Sequence, residues 1–365
     1  MPAPVPVGLA DKLAHLEDPR SPQGRRHSLA SVLLCALCAM VAGARCLRAI
    51  GQWADAAPQH TLARLGCRIS CAALGARSAP SPATIRRVLL ALDPETLAAL
   101  SRPETLQVVA VDGKSLRGSA TATGPAVHLL AALTPDRRLV AQVRVPAGTS
   151  EIDALAVLLE GMDLTGVVVT ADALHTQADT ASYLVEDLHA DYVLTVKRNQ
   201  RALFEQVATL PWVQAPTLDT ARDRGHGRAE TRTVKVIDLA GATGFPHVAQ
   251  AVRVRRYVRE LRTGKVSWTL AYAVTSLELG QADAARISAL VRGHWGIEAW
   301  HHVKDVSLGE DACKVRCGHA PDNLAALRAL ALVFLGRLGQ DTVPDAIRWV
   351  SYEAFTRPLD VIGLP

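Results

Sequence analysis

The chain has 365 residues, of which 49% are hydrophobic and only 4% aromatic, enough to bury a large core built mainly of Ala, Leu and Val. Its 40 basic and 35 acidic residues leave a formal charge of +5, too mild for overall charge to dictate a polyanionic partner, so such a role must rest on local clustering. Met1–Leu13 lacks a basic stretch leading into an apolar core and does not read as a secretory signal, and 7 cysteines, an odd number, argue for reduced thiols in a cytoplasm.

In chain order, residues 1–25 are expected to be irregular outside Leu9–Leu16. Ser28–Ala44 carries no charge between Arg25, Arg26 and Arg45. It falls short of the roughly 20 residues of a membrane span and is rich in Ala, Cys and Ser, so it predicts a buried helix and no membrane partner. That helix runs to about Trp53 with a break near Gly43. Pro80–Leu100 opens at Ser81–Pro82, places Ile85, Val88, Leu89 and Leu92 on one face, and is interrupted at Asp93–Pro94. Residues 1–102 thus read as an all-helical unit whose Arg64, Arg68, Arg77, Arg86 and Arg87 are most simply solvated.

From Gln107 the pattern changes to strands. Gln107–Val111, Val127–Leu133 and Leu139–Val145 are apolar runs, the last two joined by a turn at Thr134–Arg137. Ser150 with Asp153 opens a helix to about Glu160. Thr165–Gln177 holds a buried strand ending at Asp172, a helix follows to about Leu188, and Asp191–Gln200 is a fifth strand ending in Lys197 and Asn199. The first three strands can pair as an antiparallel meander, whereas helical crossovers force the later ones parallel. This is a ribonuclease H-like order: an α/β fold with a mixed sheet flanked by helices, in which the ends of the first and fourth strands lie side by side. Asp112 and Asp172 occupy those ends. Taken alone, Asp112 before Gly113 reads as a strand-terminal turn residue.

Residues from about 203 to 279 form a β-rich insertion with a hairpin turn at Arg262–Gly264. Val252 and Val254 alternate with Arg253, Arg255, Arg259 and Arg262, a polar face that is either solvated or in contact with backbone phosphates. Asp283–Asp305 returns to helix, with His294, Glu298, His302 and Asp305 at spacings of four, four and three, hence on one face. Cys313, Cys317 and His319 make an incomplete tetrahedral metal site and read as ordinary small residues. Ala320–Gly336 is a further helix that could cover the sheet.

Three carboxylates brought together would repel one another and raise each other's pKa. A pair of hard divalent cations resolves that conflict, because Mg²⁺ favours oxygen ligands. Two such ions about 4 Å apart polarise an attacking water or 3′-hydroxyl and stabilise the leaving oxygen in displacement at phosphorus. Gly-rich phosphate loops, a G-x-S-x-G elbow and the H-E-x-x-H order are absent.

VVAVDGKSLRGS, VVVTADALHTQ, DYVLTVKRNQ, DRGHGRAETRTV and, above all, RGHWGIEAWHHVKDVSLGEDACKVRCGHAPDNLAALRALAL resemble the DDE transposases of bacterial insertion sequences, in particular the H-repeat-associated group. The segment LEDPRSPQGRRHSLASVLLCALCAMVAGARCLRAIGQW with SPATIRRVL is similar to the N-terminal region associated with that family. The resemblance implies a helical associated region at 1–102 and a catalytic domain at 103–365. It implies a triad of Asp112, Asp172 and Glu298, separated by 172 − 112 = 60 and 298 − 172 = 126 residues, holding two Mg²⁺ (or Mn²⁺) ions. It implies double-stranded DNA as partner, at terminal inverted repeats and target sites, with the enzyme acting as a homo-oligomer in the cytoplasm and on the nucleoid. Lys114, Arg117, Lys197, Asn199, Arg253, Arg255, Arg292, His294 and Lys304 are the expected DNA contacts. Many related enzymes carry Tyr, Arg and Lys around the helical Glu, where this chain has Val291, His294 and Asp305. A descendant that only binds DNA, or a nuclease that cuts without joining, is the alternative.

Overall fold

A computed structural model describes residues 8–364 except 24, 123, 226 and 240–242; the irregular stretch expected at 1–25 therefore lies partly outside the described residues. The chain opens with helices α1 (Leu9–Ala14), α2 (Leu29–Val41), α3 (Leu47–Ala56) and α4 (Gln59–Arg64). A small hairpin follows, β1 (Ile69–Cys71) with β2 (Ala76–Arg77), and then α5 (Pro82–Ala91) and α6 (Pro94–Ala98). The hairpin departs from the all-helical reading, since strands this short leave no alternation to detect. Ser28 and Ser81 cap α2 and α5 by accepting from the N–H groups of Ser31 and Thr84. The break near Gly43 is real: Gly43 adopts φ +99°, a backbone that side chains resist, between the end of α2 and the start of α3. Almost all of α2 is buried, and no helix among the described residues is long and apolar enough to cross a membrane. All 7 cysteines are free.

Next come β3 (Val108–Leu116), β4 (Val127–Leu133), β5 (Leu139–Val145), α7 (Glu151–Leu159), β6 (Val168–Ala171), α8 (Ala178–Ser182), β7 (Asp191–Val196) and α9 (Arg201–Ala208). The insertion supplies β8 (Asp219–Gly225), β9 (Arg228–Asp238), β10 (Gln250–Glu260) and β11 (Val266–Thr275). The chain closes with α10 (Ala284–Leu308), α11 (Ala320–Gly336), α12 (Val343–Ser351) and α13 (Arg357–Val361). The sheet has 9 strands in the order β5-β4-β3-β6-β7-β11-β10-β9-β8, with β3, β6 and β7 mutually parallel. This is the ribonuclease H-like mixed sheet, extended. The insertion does not form a separate body: β11 pairs antiparallel with β7, from Tyr272↔Val196 to Thr275↔Val193, and so satisfies an edge that would otherwise expose unpaired backbone groups.

Alternate residues sort the layers. Val109 and Val111 of β3 pack with Leu155 and Leu158 of α7, whereas Val108 and Ala110 belong to the opposite face, with α10 and α11. On that face α11 is wedged between the N-terminal helices and the sheet, and one apolar cluster runs from α2 through α11 to Ala131, Leu133 and Leu139. Two polar clamps fix its first turn. Arg144 of β5 donates from Nε to Asp322 at 3.1 Å, and the fully buried Asn323 donates to the carbonyls of Leu89 (3.0 Å) and Leu92 (2.7 Å) at the end of α5. Asn323→Ala strands both carbonyls away from water and is expected to cost about 2–3 kcal/mol in urea unfolding. A loss under about 0.5 kcal/mol would show that water replaces the amide.

Candidate active site

β3 does not stop at Asp112. It runs on to Leu116, paired with β4 throughout, while its pairing with β6 ends at Val111↔Ala171. The turn read at Asp112–Gly113 is instead the point where one neighbouring strand leaves and the other stays. Asp112 and Asp172 both follow that last parallel pair directly, so the register makes them neighbours. Each also continues the alternation that points Ala110 and Thr170 toward α10. The turn after β6 is held in several places: Asp172 Oδ1 accepts from Leu174 N–H (2.8 Å), Thr176 donates to Thr195 O (2.6 Å), and Asn199 Nδ2 donates to Ala173 O (2.5 Å).

Helix α10 covers the two aspartates with histidines. His301 Nδ1 lies 3.5 Å from Asp112 Oδ2, and His294 Nδ1 lies 3.3 Å from Thr170 Oγ1. Burial holds both imidazoles below the ordinary histidine value, against the raising pull of Asp112 on each and of Asp172 on His294. Near neutral pH they are therefore uncharged neighbours of the acids. The sequence reading missed His301, because it grouped His294, Glu298, His302 and Asp305 on one face. The buried stripe is His294, Ile297, His301, Lys304 and Leu308, while His302 is exposed. Following the apolar residues Ile297, Trp300 and Leu308 would have found it.

Glu298 is exposed on α10 and lines a cleft of about 320 Å³ with Trp295, Arg232 of β9, Val254 and Arg256 of β10, and Thr269 and Ala271 of β11. Among the described residues it makes no hydrogen bond or ion pair. The structure thus sets Asp112 and Asp172 side by side, while Glu298 lines a cleft toward β9, β10 and β11 whose lining includes neither aspartate. Arg232 and Arg256 both pair with Glu230, the latter at 2.5 Å.

The expected DNA contacts divide by position. Arg253 and Arg255 lie on the face opposite to the aspartates, over the rings of Trp212 (5.1 Å) and Trp268 (5.6 Å). Alternation shows which residues share a face but not which face carries the acids, and Arg256 is the arginine of β10 on the acid side. Lys304 corrects the expectation more sharply: it is 3% exposed, pairs with Glu310 at 3.1 Å and sits 3.8 Å from the Trp300 ring centre. Burial depresses its pKa against the opposing pull of Glu310. His294 is likewise interior. Lys114 contacts Asp305 and lies 3.7 Å from Asp311, so it clamps β3 to the end of α10. Arg117, Lys197 and Asn199 are exposed, and Arg292 lies 3.8 Å from Asp219.

The donor chemistry around Asp112 and Asp172 suits a divalent cation, since two hard carboxylates emerge side by side where the β3–β6 pairing ends. Among the described residues no group of three or more His, Cys, Asp and Glu side chains is arranged to hold a metal ion, and that includes Cys313, Cys317 and His319. The pair fits; the third carboxylate is not assembled with it.

This is an α/β protein with a ribonuclease H-like mixed sheet, in which Asp112 and Asp172 lie just past the last β3–β6 pair under a long helix. Residues 103–334 match the Transposase DDE domain and residues 10–102 match the region described as DDE_Tnp_1-associated, so the chain belongs to the DDE transposase family. It is similar to "H repeat-associated putative transposase YhhI" of Escherichia coli K12, 26% identical over 90% of each chain. It is also similar to "Putative transposase YncI" of Escherichia coli O157:H7, 27% identical over 90% of this chain and 87% of that one. A Xanthobacter autotrophicus protein, "Uncharacterized protein in dhlA 3'region", is 34% identical over 61% of this chain and 78% of its own.

Lys114→Met leaves Asp305, Glu310 and Asp311 without a shared cation and is expected to lower unfolding free energy by about 3 kcal/mol. Unchanged stability with weakened DNA binding would instead make Lys114 a phosphate contact.

Proposed function

We propose that the chain is an active transposase that cuts double-stranded DNA at the ends of its insertion sequence and joins those ends to a target. In this reading Asp112, Asp172 and Glu298 hold two divalent cations, Mg²⁺ or Mn²⁺, and the working unit is a homo-oligomer on paired DNA ends. The observation that carries the reading is the register that stops at Val111↔Ala171 and sets two carboxylates side by side on the face beneath α10. When bound, the ions would polarise the phosphodiester and activate the attacking water or 3′-hydroxyl.

The chain's own residues prepare that site. Asp112 is fixed within a strand paired on its β4 side, and Asp172 is oriented by the Leu174 N–H. Neutral His294 and His301 wall off the acids without offering a competing positive charge. Glu298 needs no hydrogen bond broken to turn toward them. A DNA strand entering along the cleft would meet Arg232 and Arg256 on the acid side of the sheet, where guanidinium forks suit phosphate oxygens.

Cleavage of a duplex carrying the element's terminal repeat, with Mg²⁺ or Mn²⁺, tests the triad. Asp112→Ala, Asp172→Ala and Glu298→Ala are each expected to lower the cleavage rate by about 10²–10⁴ while leaving duplex binding intact. Wild-type cleavage by Glu298→Ala would remove that residue from the site, and wild-type protein that binds but never cuts would favour a DNA-binding descendant. The two faces of β10 are separable by salt titration. Arg256→Ala is expected to reduce the slope of log affinity against log salt by about 1, and Arg253→Ala to leave it unchanged. The opposite result would place the DNA on the other face.

A further inference from the structure

On the face of the sheet away from the aspartates, one carboxylate meets β3, β4 and the turn after β6. Glu151 stands in the first turn of α7, fixed there by the Ser150–Asp153 capping box. Its side chain is only 16% exposed, and its Oε1 accepts from His128 Nε2 of β4 at 2.7 Å. The other ring nitrogen, Nδ1, lies 2.8 Å from Ser115 Oγ of β3. Its Oε2 lies 3.3 Å from Nε2 of His175, a fully buried side chain three residues beyond Asp172. Burial works against ionisation of Glu151, but His175 and His128 outweigh it and hold the carboxyl below its ordinary range.

The residue after Asp112 completes the arrangement. A Cβ placed on Gly113 would lie 2.2–2.5 Å from the Glu151 carboxylate atoms, so the carboxylate occupies the space that any other residue would fill. One group thus rests on the backbone of β3 beside Asp112, on β4, and on the turn that carries Asp172. The aspartates point the other way and never meet it.

We infer that Glu151 is a positioning residue for the DNA-cleavage reaction: a strut, seated on Gly113 and joined to His128 and His175, that sets the spacing of Asp112 and Asp172. The inference rests on the assignment of those two aspartates. It concerns reach and shape, and it asks no proton transfer of Glu151.

The experiment compares full-length wild type, Glu151→Ala, Glu151→Asp, Glu151→Gln, Gly113→Ala, the Gly113→Ala/Glu151→Ala double variant and Asp172→Ala. It reads cleavage kcat and DNA KM, Mn²⁺ affinity by calorimetry, and melting temperature. Glu151→Ala, Glu151→Asp and Gly113→Ala are each expected to lose about 10–100-fold in Mn²⁺ affinity and kcat, with DNA KM unchanged. Glu151→Gln keeps the reach and can still bridge both imidazoles, and should restore most of both quantities. The double variant should be no worse than the poorer single one, because the added methyl then enters vacated space. If Glu151→Ala does not fold, Glu151→Asp and Gly113→Ala carry the comparison. Wild-type Mn²⁺ affinity and kcat in Glu151→Asp and Gly113→Ala would overturn the strut, as would fully additive losses in the double variant. Asp172→Ala separates the two readings: inactive alongside fully active strut variants, it leaves the function standing and the strut refuted, whereas active, it overturns both.

Discussion

Everything at this site depends on where β6 stops pairing with β3. Parallel strands hold their hydrogen bonds in even register, so the last pair, Val111↔Ala171, fixes the offset of the two residues that follow it. Because side chains alternate with period two, the same register also decides on which face both carboxylates emerge. A slip of one residue on either strand would send one aspartate toward α10 and the other toward α7. The long apolar faces of β3 and β6, buried on both sides, make such a slip costly, so burial of Val109, Val111, Val168 and Val169 is what holds the acids in place.

The covering layer adds a second constraint. Two carboxylates side by side repel, and protonated imidazoles packed against them would relieve that repulsion within the protein. Here burial keeps His294 and His301 neutral, so the negative charge is left for a ligand to neutralise. Two of the cations beside α10 are already committed. Lys304 is enclosed with Glu310, and Lys114 is shared among Asp305, Glu310 and Asp311. These pairs join α10 to β3 and to the loop after α10, and they serve the geometry of the site more directly than its charge.

Much of this was legible in the sequence because it is periodic. The β-branched runs before Asp112 and Asp172, the strand–helix alternation after Ser150 and the Leu/Ala-rich Ala320–Gly336 all announce themselves by spacing, and the structure places them as read. What spacing cannot supply is a partner. Lys304 looked like a surface cation because Glu310, which accounts for its burial, lies beyond the end of the helix. Nothing in the spacing singles out Glu151, because His128 and His175 close on it from two other elements. The arginines of β10 show the same limit differently: the two faces of an isolated strand are equivalent, and only the pairing with β9 and β11 decides that Arg256 faces Glu298 while Arg253 and Arg255 face away.

Helix α10 then links the two halves of the sheet. Its 25 residues span about 37 Å at 1.5 Å per residue. Near its start Ser288 contacts Asp219 of β8 and Arg292 approaches the same carboxylate, whereas at its end Asp305 holds Lys114 of β3. With both ends tied, sliding the helix along the sheet would break the clamp on Lys114, a large cost for a small displacement. Rotation of the free Glu298 side chain carries no such cost. Bending carries little where the helix is weakest, and Gly293 and Gly296, just before Glu298, have nothing within 4 Å of where a side chain would begin. On the proposed reading, the anchors restrict any approach of Glu298 to the aspartates to local changes at the middle of one helix.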